Sequence, residues 1–317
     1  MRRAAIAAAG FVWVVGVLTL AAGATAVDDD GPPPPRWRLE PGTERYYVLA
    51  QTTVLDSTPR GGRTIRAEWR QEVYLRWIVG EVEGDSARVV LIVDRVRARV
   101  ERDGLSPGGF AFDTASDVVP AGNSHAARLG AVLKGVVGTR LEFRMTPRGE
   151  PRDVKFPRES SDAPRGPAAF WDGAPASEDA LWGLIATSIP FLPEGPSEAG
   201  TVWTRQSIAP MPNLGSLVLD KTYTDRGPRP NRPDIHDVDV ETRFSLRPTP
   251  GRLMETTIEK QSGAGAFAFD VRRGLVESGR LEDALTIRFR CSEGCQVVQK
   301  SSTRLELKLL PDPAPSP

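Results

Sequence analysis

The sequence predicts a mainly β protein of the α+β class, with curved antiparallel sheets and two amphipathic helices. Segments of strand-like alternation recur in both halves of the chain, and glycine- and proline-rich turns separate them. Two further segments follow the helical period instead. The charged fraction of 26% and the hydrophobic fraction of 40% are those of an ordinary globular protein. Two architectures fit this pattern: two related half-barrel lobes, or one curved sheet formed by two similar halves.

The first 26 residues are typical of an export signal. Arg2 and Arg3 precede an uncharged run from Ala4 to Gly23, and Ala24-Thr25-Ala26 follows as a small-residue cleavage pattern. We expect residues 1–26 to be a signal peptide and the protein to act in the periplasm, the cell envelope or the medium. The uncharged run is also long enough to span a bilayer. A retained N-terminal anchor is therefore the alternative, and it would be the protein's link to a membrane.

Residues 27–35 form a proline-rich spacer, and residues 36–156 are predicted to be a first β-rich lobe. Alternation over residues 64–79 places Trp69, Leu75 and Trp77 on one face of a strand. The strand at 89–100 ends with arginines at alternate positions, which predicts a solvated face there.

Helical spacing appears at 129–137, followed by Gly138 as a stop, and again at 177–189, before Pro190. Residues 157–197 therefore comprise a linker and the second helix. Residues 198–310 are predicted to be a second β-rich lobe, and residues 311–317 a disordered tail. The strands of the second lobe are expected at 201–208, 214–224, 235–246, 253–261, 266–271, 275–290 and 296–309.

Two short patterns indicate an internal duplication. Phe110-Ala111-Phe112-Asp113 recurs as Phe267-Ala268-Phe269-Asp270, and Pro41-Gly42-Thr43 resembles Ala199-Gly200-Thr201 at nearly the same offset. A competing alignment matches 143–149 with 269–274, and both alignments cannot hold. A period this long predicts two similar β-rich portions and not a solenoid.

The composition argues against several function classes. Forty-one basic and 41 acidic residues cancel, so no global field recruits nucleic acid. Two histidines and two cysteines leave little material for metal or nucleophilic chemistry, and neither G-x-S-x-G nor H-E-x-x-H occurs. We therefore predict a non-enzyme with no catalytic residue, no metal and no cofactor.

Cys291 and Cys295 lie on either side of a short glycine-containing turn between two strand-like runs. Opposed residues of a hairpin can meet the geometry of a disulfide, so a disulfide between them is the first interpretation. A redox pair is the alternative, although the C-x-x-C spacing is missing.

The acidic segment at 234–241 contains the second histidine. On a strand, Asp237, Asp239 and Glu241 would share one face, with His236 on the other. A solvated strand face is the first interpretation, and a weak Ca²⁺ site is the alternative. Asp113 and Asp270 are expected to cap the turns that follow their strands, or else to pair as carboxylates.

Aromatic and aliphatic side chains could line an apolar cavity between sheet and helices. Trp77, Leu133 and Trp182 are the residues we expect to contact an apolar small molecule, with core packing as the alternative. The leading hypothesis is a non-catalytic envelope protein that binds an apolar ligand or a protein partner. The second is a hydrolase or metal-dependent enzyme in which His236 and several carboxylates converge. A scaffold protein with a filled core, which binds only other proteins, would fit neither hypothesis.

Several motifs together resemble an uncharacterised family of bacterial exported β-rich proteins, over about residues 36–309. They are Trp37-x-Leu39-x-x-Gly42, Trp77, Val93-Asp94-Arg95-Val96-Arg97, Phe112-Asp113-Thr114, Phe143-x-Met145-x-Pro147-x-Gly149, Gly200-x-x-Trp203 and Phe269-Asp270-x-x-x-Gly274. The resemblance implies a β-rich envelope or secreted protein, with no assigned activity or site residue.

Overall fold

The computed structural model describes residues 33–103, 109–119, 125–155, 188–211, 215–248, 254–291 and 294–311. These residues contain one helix and antiparallel strands that belong to a single sheet. The elements are β1 Glu44–Pro59, β2 Ile65–Glu83, β3 Ser86–Arg102, β4 Phe110–Asp113, α1 His125–Val136, β5 Arg140–Met145, β6 Pro151–Lys155, β7 Val202–Met211, β8 Gly215–Arg229, β9 Arg232–Pro248, β10 Met254–Asp270, β11 Leu275–Cys291 and β12 Gln296–Leu310.

The sheet is a meander whose first and last strands meet in the middle. Its order is β6-β5-β3-β2-β1-β12-β11-β10-β9-β8-β7, and β4 pairs with β3 beside this path. The β1–β12 pairing runs from Tyr46 opposite Leu310 to Pro59 opposite Val297. The predicted mainly β fold class is thus confirmed, and the two predicted lobes are parts of one curved sheet.

Both halves of the chain contribute to one core on one side of this sheet, here called the inner face. A first apolar cluster joins Leu75 and Phe143 from the first half to Tyr223 and Phe267 from the second. Strand alternation explains the arrangement, because successive side chains point to opposite faces and register partners share one. A second apolar cluster lies nearer the other ends of β8, β9 and β11 and contains Leu217, Leu219, Phe244, Leu285, Ile287 and Phe289.

A segment before β1 connects two turns that lie far apart in the sheet order. The amide of Trp37 donates to the Pro147 carbonyl after β5 (2.8 Å), and the amide of Arg38 donates to the Gly274 carbonyl before β11 (2.9 Å). The Trp37 ring stacks on Trp77 at 6.0 Å between centroids and meets Phe269 edge-on at 5.7 Å. Because Trp37 contacts both halves, the sheet must curve around it. Four of the motif residues noted in the sequence, Trp37, Trp77, Pro147 and Phe269, therefore meet at this end of the core.

The turns before β1 and β7 are equivalent in detail. Gly42 and Gly200 have φ values of +80° and +93°, in the left-handed region that favours glycine. The Gly42 amide donates to Val79 and the Gly200 amide to Asp225, and each acceptor residue donates back to the threonine after the glycine. This correspondence fits the first of the two repeat alignments, while the duplication itself remains a prediction.

The helix and strand predictions differ from the structure in few places. Helix α1 lies where the periodicity predicts it, and Gly138 follows with φ +81°. Residues 177–187 of the second predicted helix lie outside the described residues. The strands predicted at 253–261 and 266–271 are one strand, β10. The glycines of β10 allow a neighbouring strand to approach closely and do not form a turn. A Cβ on Gly265 would lie 2.2 Å from the Arg280 carbonyl oxygen on β11.

Candidate binding site on the inner face

A row of polar side chains crosses the inner face between the two apolar clusters. We call it the polar belt, and it consists of Arg205, Lys221, Thr242, Asp283, Thr303, Thr53, Gln51 and Gln71. Register pairing builds it. Arg205 lies opposite Lys221 and Lys221 opposite Thr242, while Asp283 lies opposite Thr303 and Thr303 opposite Thr53. The belt therefore runs at right angles to the strands, from β7 to β2.

The end of the belt on β1, β2 and β12 is neutral and hydrogen-bonded in a chain. Gln71 Nε2 donates to Gln51 Oε1 (2.6 Å), and Gln51 Nε2 donates to the Thr53 hydroxyl (3.1 Å). The Thr53 and Thr303 hydroxyls are 3.2 Å apart. These uncharged donors and acceptors form a network that reaches Thr303, the register partner of Asp283.

Several buried polar atoms on this face have no hydrogen-bond partner within the described part of the chain. They are Gln71 Oε1, Trp69 Nε1, Trp77 Nε1, Ser57 Oγ and Thr256 Oγ1. Register places all five side chains on the inner face: Trp69 is opposite Thr53, and Thr256 is opposite Phe289 of the second apolar cluster. Buried polar atoms in folded proteins nearly always have a partner, which can be water or a ligand.

The end of the belt on β7, β8 and β11 is charged. Lys221 is 8% exposed. Its pKa is lowered to about 8, mainly by burial and to a lesser extent by the neighbouring Arg205, against the opposing effect of Asp283. Burial likewise raises the pKa of Asp283 to about 6, and Lys221 opposes that shift. The pKa of Arg205 is also lowered by burial. Its guanidinium lies 4.6 Å from the centroid of the Phe191 ring.

A glycine makes room for the charged end. A Cβ on Gly263 would lie 2.7 Å from Asp283 Oδ1 and 2.7 Å from Thr242 Cβ. The carboxylate of Asp283 therefore leans from β11 across β10, over the position where any other residue would carry a side chain. This brings its charge towards Lys221, two strands further along.

A small cavity adjoins Lys221. Its volume is about 20 Å³, enough for about one water molecule. The sheet side is formed by Lys221, Tyr223, Phe267, Leu281 and Leu305, and residues 188–190 lie on the other side. The charged end of the belt thus meets both apolar side chains and the segment that precedes Phe191.

The sequence-predicted ligand residues fall elsewhere on the same face. Trp77 and Leu133 are 3% and 2% exposed and belong to the first apolar cluster. Trp77 packs against Trp37, against Tyr47 at 5.6 Å and against Phe143 at 6.1 Å. Neither residue lines the cavity beside Lys221, and Trp182 lies outside the described residues. Their role as ligand contacts remains a prediction.

His236 belongs to a separate network at the start of β9. Asp225 is buried, accepts a hydrogen bond from Ser197 Oγ (2.5 Å) and lies 3.0 Å from His236 Nδ1. Burial alone would raise the pKa of Asp225, but hydrogen bonds from His236, Ser197 and the Gly227 amide bring it below its ordinary value. Ser197 contacts Asp225 and not His236, unlike a nucleophilic triad, in which the histidine takes the serine proton.

The acidic row faces away from His236, as the strand period predicts. Asp237 pairs with Arg229 at 2.6 Å and Asp239 with Arg226 at 2.6 Å, all on the outer face. These carboxylates therefore do not converge with His236. Among the described residues, no group of three or more histidine, cysteine, aspartate or glutamate side chains could hold a metal ion.

Asp113 and Asp270 each bind the turn that follows their strand. Asp113 Oδ1 accepts from the Ala115 amide (3.0 Å), and Asp270 Oδ1 from the Arg273 amide (2.7 Å). Asp113 also binds Arg95, whose hydrogen bond holds the pKa of Asp113 well below its usual range. The predicted solvated face is wrong at Arg95, which is 6% exposed because it is held between Asp113 and the Tyr74 ring.

The predicted hairpin turn between the cysteines is confirmed by the backbone, since Arg290 on β11 lies opposite Gln296 on β12. The side chain of Cys291 lies outside the described residues, so the Cys291–Cys295 disulfide remains a prediction. No helix in the described ranges has both the length and the apolar character to cross a bilayer.

No family model matches the chain, and no curated protein matches it as a relative. Among solved structures, lipovitellin is similar over 88% of this chain at 14% identity and a TM-score of 0.47. The match covers only 26% of the lipovitellin chain. OpdQ of Pseudomonas aeruginosa is matched over 84% of this chain and 99% of its own, at 7% identity and a TM-score of 0.26. An outer membrane channel of Pseudomonas putida F1 is matched over 90% and 100%, at 10% identity and a TM-score of 0.23. Similarities this low do not assign the chain to any of these proteins.

Proposed function

We propose that this is an exported, non-catalytic binding protein for an amphiphilic molecule, meaning a polar head attached to an apolar chain. The inner face of the sheet would hold it. One observation carries the proposal: a polar belt, part of it buried, lies between two apolar clusters, and within the described part of the chain Gln71 Oε1 in the belt and Trp69 Nε1 beside it have no hydrogen-bond partner. An amphiphile offers the same two kinds of surface, with its polar head at the belt and its apolar chain along one of the clusters.

The unpartnered polar atoms in and beside the belt lower the stability of the fold if packing is their only role. A buried polar group without a partner costs about 1–3 kcal/mol, and a buried charge costs several kcal/mol more unless it is compensated. An apolar interior of the same shape would avoid these costs. Polar groups that a ligand or water satisfies are therefore a better explanation than packing alone.

The apolar clusters would contact the apolar part of the ligand. In the second cluster, Leu219 and Leu285 are the nearest inner-face neighbours of the belt residues Lys221 and Asp283 on β8 and β11. In the first, Leu281 and Leu305 adjoin the belt on the opposite side and line the cavity. A head group at the belt would thus have apolar surface within one residue step on either side.

Export is supported by the N-terminal pattern, which lies outside the described residues. An amphiphile carrier has an evident use in an envelope, because apolar molecules cannot cross an aqueous compartment unaided.

Native mass spectrometry, combined with lipid extraction of protein purified from its own envelope, tests the proposal. We expect a co-purified amphiphile, or stoichiometric binding of added dodecanol. Gln71→Leu on the inner face should weaken dodecanol binding, whereas Gln206→Leu, at an exposed outer position, should not. Protein that carries nothing and binds no added amphiphile would overturn the proposal.

A further inference from the structure

We infer that the protein forms a two-fold symmetric dimer in which β7 of one copy pairs antiparallel with β7 of a second copy. The sheet would then continue from one copy into the other. This inference goes beyond the proposed function and does not depend on it, because the dimer uses the free edge of β7 and leaves the inner face open to a ligand.

One edge of β7 has backbone groups without a partner strand. Among the described strands, β7 ends the sheet order and pairs with β8 alone. Asp225 on β8 donates its amide to the carbonyl of Thr201, just before β7 (2.9 Å). Since the direction of the backbone groups alternates along an antiparallel strand, residues 203, 205 and 207 also bond to β8. The N–H and C=O groups that point away from the sheet therefore belong to Val202, Thr204, Gln206 and Ile208.

These outward groups lie on a strand that is well suited to pairing. β7 is ten residues long, and its first proline is Pro210. Thr204 and Gln206 are exposed and uncharged, and Val202 is 57% exposed. A long edge strand with unpaired backbone groups and few charges is a template for another strand.

The opposite side of the sheet is protected against such pairing. It ends in β6 and β4, which are only five and four residues long. In β6, Pro151 has no amide hydrogen, Asp153 adopts a left-handed φ of +51°, and Arg152 and Lys155 add exposed charges. Short length, proline, irregular backbone and charge are the features that keep natural sheet edges apart. The contrast singles out β7 as the edge that is available to a partner.

The contrast also identifies the partner as a second copy. An antiparallel edge is complementary to itself, because a two-fold rotation presents the same alternation of donors and acceptors. Within the described part of the chain, each copy has one long unprotected edge. Pairing β7 with β7 satisfies both of these edges and leaves the protected ones outside, so assembly should stop at two copies.

Charge selects the register of the pairing. Arg205 is the one charged residue between positions 202 and 208. A two-fold axis at Arg205 would place two guanidinium groups directly opposite each other, and like charges in that position are destabilising. An axis at Gln206 avoids this, because Arg205 then lies opposite Ser207 of the second copy. Thr204 would exchange backbone hydrogen bonds with Ile208 of the second copy.

Sedimentation velocity of the full mature protein, over a wide range of protein concentration, tests the inference. We expect a reversible equilibrium between monomer and dimer. Gln206→Lys places two ammonium groups next to each other at the axis and should raise the dissociation constant at least tenfold. Ser245→Lys is the matched control, because it adds the same charge at an exposed position of β9, two strands away, and it should change nothing.

A second pair of variants tests the backbone directly. Thr204→Pro removes an outward N–H and none of those that bond to β8, so it should abolish the dimer while urea unfolding still shows a folded monomer. Thr204→Val keeps the N–H and should keep the dimer. Hydrogen exchange locates the interface: amides in residues 202–208 should exchange more slowly as protein concentration rises, and those in 151–155 should not change.

Three results would overturn the inference. The first is a protein that stays monomeric at every concentration. The second is a dimer that Gln206→Lys and Thr204→Pro leave unchanged, because it would use another surface. The third is a series of species that keeps growing with concentration, because it would need a second free edge.

Discussion

Replacement of Gly149 by alanine tests how the sheet is held in its curved shape. Gly149 has φ +85°, and a Cβ there would lie 2.5 Å from the Pro190 carbonyl oxygen and 2.6 Å from Trp37 Nε1. Those two atoms are themselves hydrogen-bonded at 3.4 Å. A methyl group would therefore force Trp37 away from the segment that it anchors.

The expected loss of stability has two parts. The left-handed backbone costs an alanine about 1–2 kcal/mol. Displacing a packed indole and its hydrogen bond adds about 2–4 kcal/mol, since overpacking and a lost hydrogen bond both contribute. The displaced ring also stacks on Trp77 and contacts Phe269, so the two halves of the core should loosen together.

Gly42→Ala supplies the matched control. Gly42 has φ +80°, yet nothing lies within 4 Å of the position of its Cβ. The Gly42→Ala variant should lose only the backbone contribution to the free energy of unfolding, about 1–2 kcal/mol. Urea unfolding followed by far-ultraviolet circular dichroism would measure both free energies of unfolding. Equal losses in the two variants would refute the idea that Trp37 and Pro190 clamp the turn.

Four further predictions follow from individual contacts. Trp69→Phe removes an indole N–H without a described partner and should leave stability unchanged or higher, whereas Trp203→Phe, whose N–H donates to Phe191 at 2.7 Å, should cost about 1 kcal/mol in urea unfolding. Because the folded pKa of Lys221, about 8, lies below the unfolded value of about 10.4, the unfolded chain binds more protons between these pH values; wild-type stability in urea unfolding should therefore rise with pH there, and Lys221→Met should lack that rise. The lowered pKa of Asp113 stabilises the fold above the unfolded pKa of about 3.9, and this is lost as pH falls below that value, so acid titration of Asp113→Asn should show a shallower decline. Exported protein should begin at Val27 and contain no thiol that reacts under denaturing, non-reducing conditions, as N-terminal sequencing and thiol labelling would show.

Local pattern was enough to predict most strands and the faces of several. Alternation predicted that Leu75 and Trp77 share a face, and that His236 points away from Asp237, because the strand period depends only on neighbouring residues. The turn glycines were predictable for the same reason. The pairing of β1 with β12 was not, since it joins residues such as Thr53 and Thr303, 250 positions apart. No local signal records which distant strand completes a sheet.

Several of the sequence motifs share a location in the fold and not a common chemistry. Trp37, Gly149 and Gly274 lie where one segment crosses two turns, and a Cβ on Gly274 would lie 2.4 Å from the Arg38 amide nitrogen. Such positions are restricted by packing, so they stand out in a sequence whether or not they have a function.

The sequence gives a weaker indication of the polar belt. Lys221 stands between Leu219 and Tyr223 in the inner-face series of β8, and Asp283 stands between Leu281 and Leu285 in that of β11. One polar residue in an apolar series has several explanations, including a bulge or a strand end. Only the register shows that the interruptions on β8, β9, β11, β12 and β1 lie at one level of the sheet. Unrelated polar residues would lie at different levels along the strands, and each would lower the stability of the fold wherever it occurred. Their alignment into one row between apolar layers is therefore the feature that requires a shared cause, and under the proposed function the polar head of an amphiphile would supply one.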